Sequence, residues 1–457
     1  MQNYRYKIIL FCLCFSIAEA FAMPHYELAY RLSGTSTMMM KDGKVDPWLG
    51  SRPVLGGSFS VEFLPTGRWH CLQQWNNASI GVGAGYLNLG NDSKLGSAFT
   101  AFGYMNQPFY NGKHFGIGLR PTVGLAAVTK RYSNTYEGAH PYHDHEGANW
   151  SIGSILNAYL ALELYMDFPI KNGWAITLNG GWRHISNGSF MHPNAGYNMF
   201  GGELGVRYQA NVRRKDARST KEWADTTRTY KAPKPDVPRK LYDGVDKRWS
   251  VELSATGGAK QNYYADNRNG QLFFGIATVK AAAYWVPISI FRVGAGVDAF
   301  YDGYYACVSN SIPEAKAAFP DAPVTYFGKT YLKESNVKNC FRVGISVQPE
   351  FIIGNLTAGI HVGFYVFDPV KNLEPFTGKK TWDTGQGAKE MDEAGTPLNR
   401  GIFYRYDFTD ASNYQDGWCY MQFVLKYHVL DHLFVQLGLK THGVRAEFID
   451  AGIGVAF

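Results

Sequence analysis

The sequence predicts an all-β protein, a single antiparallel transmembrane β-barrel of about 14–16 strands with long outer loops. Three observations lead there. Of 457 residues, 46% are hydrophobic, 15% aromatic and only 18% charged, with 50 Gly; few charges with many aromatics and glycines favour strands and turns over helices. Long segments alternate with a period of two and carry one apolar face, the pattern of a half-buried strand. The last residues, IDAGIGVAF, put Ile449, Ala451, Ile453, Val455 and Phe457 on one face and end on an aromatic. After the N-terminus there is no uninterrupted apolar run of about 18 residues, which excludes helical membrane spans.

The elements follow in chain order. Residues 1–22 read as an export signal: Arg5 and Lys7 form a basic start, Ile8 to Ala18 a short apolar core, and small-x-small cleavage sites end at Ala20 or Ala22. The barrel is expected over 23–457, with candidate strands near 25–33, 55–63, 78–88, 95–106, 114–128, 151–168, 173–187, 197–210, 247–258, 271–286, 290–306, 339–352, 355–367, 417–428, 432–442 and 447–457. The clearest is 173–187. Trp174, Ile176, Leu178, Gly180, Trp182, His184 and Ser186 share one face, and Thr177, Asn179, Gly181 and Arg183 the other. Trp174 and Trp182 lie eight residues apart, roughly 20 Å of bilayer height for a tilted strand, close to the spacing of aromatic girdles. An even strand count places both termini in the periplasm.

Residues 212–247 hold 11 basic and 6 acidic residues with Pro233, Pro235 and Pro238. They carry most of the formal net charge of +7 and read as a basic periplasmic connector. They lack the folded, aromatic-studded basic face that nucleic-acid binding needs, so no nucleic-acid partner is expected. Long outer loops are expected within 308–338 and 368–416. Four Cys remain beyond the signal, Cys71, Cys307, Cys340 and Cys419; too few for a disulfide scaffold. Cys307 and Cys340 either staple the base of one loop or stay unpaired. The halves of the chain show no convincing tandem repeat.

The chemistry concentrates in W182-R-H-I-S-N-G-S-F-M-H-P-N-A-G-Y-N198. His184 and Ser186, two apart on a strand, share a face about 6.5–7 Å apart along it, near enough for leaning side chains to form an activated serine. Parity points them outward, toward lipid at the outer rim, where an unused polar pair is costly; two rim residues bonding headgroups remain the plainer reading. Glu203 and Glu163 fall in the lumen by parity and are rejected as a third member. E137-GAHPYHDHE146 holds ligand types, with His140, His143 and His145 as weak metal candidates against a simple polar loop; no metal or other cofactor is expected.

His-x-Ser-Asn-Gly followed by Pro-Asn-x-Gly and a Gly-rich strand resembles the PagL-type lipid A 3-O-deacylases, outer-membrane barrels with an outward-facing serine-hydrolase site. The stretch I152-G-S-I-L-N-A158 and the tail from His432 to Phe457 resemble the longer acyloxyacyl hydrolase barrels of that superfamily, and the terminal strand resembles those of bacterial outer-membrane barrels. The resemblance implies Ser186 as nucleophile and His184 as general base, with Asn187 and Asn194, beside Gly188, supporting the oxyanion. The compact enzymes are eight-stranded and place a Glu where this chain has Asn198, which lies on the outward face of the next strand and can face His184. The implied function is removal of an ester-linked acyl chain from lipid A, with lipopolysaccharide and outer-membrane lipids as partners and the bacterial outer membrane as location. A non-catalytic porin or binding barrel and an outer-membrane phospholipase are the alternatives.

Overall fold

Alternation decides which side of a wall each residue takes. The computed structural model describes residues 27–40, 52–64, 70–112, 114–132, 149, 151–191, 193–209, 249–261, 273–303, 325–326, 329–330, 337–369, 418–443 and 445–457. Eight long strands come first: β1 (Glu27–Met39), β2 (Val54–Leu64), β3 (Ser79–Asn88), β4 (Ser97–Asn111), β5 (Gly116–Val128), β6 (Leu156–Pro169), β7 (Trp174–Ser186) and β8 (Tyr197–Gln209). Eight more follow: β9 (Trp249–Gln261), β10 (Phe273–Ile288), β11 (Phe291–Asp302), β12 (Phe341–Ile353), β13 (Leu356–Phe367), β14 (Cys419–Leu430), β15 (Leu433–His442) and β16 (Arg445–Ala456). A five-residue helix, α1 (His70–Gln74), lies between β2 and β3. All sixteen segments expected from alternation contain a strand.

Their closure corrects the expectation of a single barrel. β1 to β8 form one closed antiparallel barrel and β9 to β16 a second. The first closes by pairing β8 with β1, from Ala29↔Gln209 to Met39↔Met199. The second closes by pairing β16 with β9, from Ala451↔Gly257 to Ala456↔Glu252. A period of two reports the face a residue takes and says nothing of which edges meet, so one ring of sixteen and two rings of eight carry the same signal.

Eight strands leave an interior only wide enough for side chains, and both lumens are filled by paired charges. In the first barrel Arg183 meets Glu163 at 2.6 Å and Glu203 at 3.0 Å, and Arg31 meets Glu62 at 3.4 Å and Asp167 at 3.3 Å. Glu203 lies in the lumen as parity requires, with Arg183 as its cation, while Arg207 turns to Asp167 at 3.4 Å. In the second barrel Arg292 bridges Glu252 at 2.6 Å and Glu350 at 2.5 Å, and Lys426 reaches both at 2.7 Å. The outer walls are apolar: Ile176, Leu178, Leu204, Val251, Leu253 and Ile453 are all exposed. A polar interior inside an apolar exterior is the inverse of a soluble fold and suits strands that cross a bilayer.

Short turns such as 170–173, 289–290 and 354–355 share one rim with the N-terminus of β1 and the C-terminus of β16; the β7–β8 connection lies at the opposite, loop rim. The expected signal (1–22), the connector (212–247), Cys307 and most of 308–338 and 368–416 lie outside the described residues.

Replacing Arg183 with Met leaves the buried Glu163 and Glu203 carboxylates without their shared cation. Breaking one side of such a buried network costs about 3–5 kcal/mol. The variant is expected to fold into lipid but to unfold at markedly lower urea, read by heat-modifiable gel migration; an unchanged midpoint would contradict the paired lumen.

Candidate active site

The register of β6, β7 and β8 builds the site. Across β7–β8, His184 stands opposite Asn198 and Trp182 opposite Phe200. Across β6–β7, His184 stands opposite Leu160 and Ser186 opposite Ala158. Directly opposed residues share a face, so the polar chain sits on the outer wall with apolar neighbours on both flanks. Ile185, between the two polar residues, is fully buried on the lumen side, and so is Arg183. Parity therefore places each residue as alternation indicates.

The Ser186 hydroxyl lies 2.7 Å from His184 Nε2, and His184 Nδ1 lies 2.9 Å from Asn198 Oδ1. Trp182 Nε1–H donates to the same Asn198 Oδ1 at 3.2 Å. An indole N–H only donates, so this contact fixes which end of the amide faces inward. With Oδ1 as acceptor, His184 Nδ1 must carry the proton and Nε2 presents its lone pair to Ser186. The tautomer that a general base needs is thus set without a carboxylate. Trp182 also stacks on His184, ring centroids 5.4 Å apart and planes 14° from parallel, a placement in which an aromatic face attracts cationic imidazolium.

The turn after Ser186 is organised by Asn187. Its backbone N–H donates to Asn194 Oδ1 at 3.0 Å. Its Nδ2 donates to Ser154 Oγ and to the Met191 carbonyl, both at 2.8 Å, and its Oδ1 accepts the Met191 N–H at 3.2 Å. Gly188 and Ser189 take φ of +60° and +67°, turning the chain sharply away from the strand. Because a backbone N–H can only donate, Asn194 directs Oδ1 at Asn187 and keeps its own Nδ2–H2 for another acceptor. The structure therefore brings together His184, Ser186 and Asn198, and gathers Asn187, Gly188 and Asn194 beside them.

Two contributors carry no catalytic signature in sequence. Trp182 reads as one more apolar residue of the stripe. Gly196 has φ +76°, and a Cβ there would lie 2.7 Å from His184 Cε1, so the glycine makes room for the imidazole; its N–H also donates to the Ser151 carbonyl at 2.8 Å. His140, His143 and His145 lie outside the described residues. Among the described residues no group of three or more His, Cys, Asp or Glu is placed to hold a metal ion.

Fold and site define a class: a bilayer-type β-barrel with a serine–histidine hydrogen-bond chain of the hydrolase kind on its outer wall. Residues 57–207 match the family model "Lipid A 3-O-deacylase (PagL)", and residues 249–377 and 399–457 match "Acyloxyacyl hydrolase, C-terminal domain". The chain belongs to this family of lipid A ester hydrolases. The first match lies within the first barrel and the second begins at the first residue of β9, so the division between the matches is the division between the barrels.

Among solved structures, the outer membrane enzyme PagL is similar over 39% of this chain and 98% of its own, at 14% identity and TM-score 0.24. The siderophore receptor PirA from Acinetobacter baumannii is similar over 92% and 56%, at 8% identity and TM-score 0.22. A mutant Rh. blastica porin is similar over 94% and 99%, at 9% identity and TM-score 0.14. A search of curated proteins finds no match.

Gly196→Ala tests the packing of the site. The methyl group must push the imidazole aside, and a displacement near 1 Å costs about 100-fold in rate. Esterase turnover is expected to fall by that order while heat-modifiable folding is unchanged; wild-type turnover would contradict the packing.

Proposed function

We propose that this protein is an outer-membrane serine esterase that removes an ester-linked acyl chain from lipid A of lipopolysaccharide, with Ser186 as nucleophile, His184 as general base and Asn198 as the group that orients His184. The observation that carries the reading is the chain Ser186–His184–Asn198 on the lipid-facing wall. A site that served soluble substrates gains nothing from facing hydrocarbon; one whose substrate is already in the leaflet does. The export signal at 1–22, the periplasmic assignment of the turn rim and the outer assignment of the loop rim belong to the same reading, and put Ser186 at the level of the outer leaflet.

His184 Nε2 takes the hydroxyl proton as Ser186 Oγ bonds to the ester carbonyl carbon. The carbonyl oxygen becomes an oxyanion, held by the Gly188 N–H and Asn194 Nδ2–H2, while Asn187 keeps the turn in shape. Collapse breaks the ester C–O bond, and His184 returns its proton to the departing alcohol oxygen. Water, deprotonated by His184, then attacks the acyl-Ser186 carbonyl; the acyl C–Oγ bond breaks, the fatty acid leaves, and His184 returns the proton to Ser186 Oγ. Donors aimed where charge develops supply much of such an acceleration. The Trp182 face supports the imidazolium that Asn198 cannot balance by charge. The steps call for no cofactor.

Mass spectrometry of lipid A and phospholipids, from outer membranes making wild type or Ser186→Ala, tests this. Wild type alone is expected to yield lipid A lacking one ester-linked chain. Identical lipid A in both, in a host that folds the barrel, would reject the esterase; altered phospholipids alone would indicate a phospholipase. Asn198→Asp keeps the acceptor and adds a charge opposite the imidazolium, so kcat is expected to rise about tenfold, roughly 1.4 kcal/mol. A fall instead would show that the amide does more than accept one hydrogen bond.

A further inference from the structure

The two barrels meet at both rims. At the loop rim, the turn that follows Ser186 rests on the second barrel. Ser189 O–H donates to the Ala446 carbonyl at 2.6 Å, and Gln261 N–H donates to the Phe190 carbonyl at 3.0 Å. The Phe190 and Phe273 rings lie 5.3 Å apart. Gly188 is packed so closely that a Cβ would stand 2.4 Å from the Ile449 side chain. At the turn rim, Trp75 beyond α1 donates its indole N–H to the Ile352 carbonyl at 3.0 Å and meets the Phe351 ring at 5.6 Å.

Strands in such barrels tilt by about 35–45°, so a vertical line on the wall crosses several of them. On the first barrel the seam runs from the β7–β8 loop across β8 and β1 to the β2–β3 connection. On the second it runs from the loop-rim ends of β16 and β9 across β10 and β11 to the β12–β13 turn. Between the rims neither barrel covers the other's side chains: Leu32 and Leu204 are 61% and 63% exposed, Val279 and Val297 58% and 50%. The outer wall of the second barrel carries an apolar groove of about 470 Å³, lined among others by the small Ala255, Ala281 and Ala299 and the branched Val279, Val297 and Ile453. Ile453 lies four residues along β16 from the Ile449 that touches Gly188, about 13 Å along the strand.

We propose that this groove binds the acyl chain whose ester is cleaved at Ser186, so that the second barrel is the half of the site that selects chain length. The inference rests on the esterase reading above. An ester carbonyl at Ser186 sits at the loop rim, and the chain attached to it has one apolar direction to take, into the membrane. The turn beside Ser186 is sealed against the second barrel, and the groove continues that contact inward. A chain in the bilayer is already out of water, so its recognition comes from packing. Small alanines among branched side chains offer a fixed track that loose lipid does not. The first barrel then supplies the chemistry and the second the measure of the chain.

The test uses the full-length protein in detergent micelles with p-nitrophenyl butyrate and p-nitrophenyl palmitate. Ala281→Phe and the milder Ala255→Leu fill the groove; Ala101→Phe, on β4 across the first barrel from the seam, is the control. Filling the groove is expected to lower kcat/KM for the palmitate ester about tenfold, less in Ala255→Leu, with the butyrate ester and the control unchanged. If Ala281→Phe fails to show a heat-modifiable band, Ala255→Leu decides. An unchanged palmitate-to-butyrate ratio in every folded groove variant overturns the groove while leaving the esterase standing. Absence of any Ser186-dependent hydrolysis in wild type overturns the esterase itself.

Discussion

Inside a bilayer no water is present to bond a backbone N–H or C=O, so every strand must be paired along both edges. The rest of this structure depends on that closure. Closing after eight strands, twice, leaves lumens too narrow for anything but side chains. Parity then sends Arg183, Glu163 and Glu203 into one lumen, and Arg292, Glu252, Glu350 and Lys426 into the other. Those networks occupy the space that a conducting pore would need. A filled interior leaves the outer wall and the loop rim as the places where a ligand can be met.

The outer wall imposes its own terms on a catalytic group. A polar chain facing lipid has to satisfy itself, and here three side chains and one indole do so in sequence. Asn198 lacks the charge of a carboxylate, but Trp182 fixes its amide and so fixes the proton on His184. A neutral orienting group has an advantage in this setting, since an exposed carboxylate beside hydrocarbon carries a desolvation cost that an amide avoids. In the proposed mechanism, tautomer control rests on hydrogen-bond direction, and stabilisation of the transient cation on an aromatic face.

Much of this was legible in sequence. Alternation located all sixteen barrel strands because a wall one residue thick records its two environments residue by residue. The same parity put His184 and Ser186 outside, rejected Glu163 and Glu203, and allowed Asn198 to face His184. What alternation cannot encode is edge partnership, so the number of barrels was not recoverable, nor was the pairing of Glu203 with Arg183 inside the lumen. Trp182 was hidden because an indole on an apolar stripe carries the same hydropathy whether it anchors a membrane interface or holds an amide. The seam was hidden for a related reason. Ile449 and Phe273 look like any lipid-facing residues until the Gly188–Phe190 turn is seen against them.

The central claim is that an outward-facing Ser186 is activated through His184. The most direct measurement is labelling with a lipophilic fluorophosphonate in native membranes, followed by peptide mass spectrometry. The account predicts one adduct, on Ser186, strongly reduced in His184→Ala and blocked by prior addition of lipid A. Labelling at another residue, or labelling of Ser186 that is undiminished in His184→Ala, would contradict it.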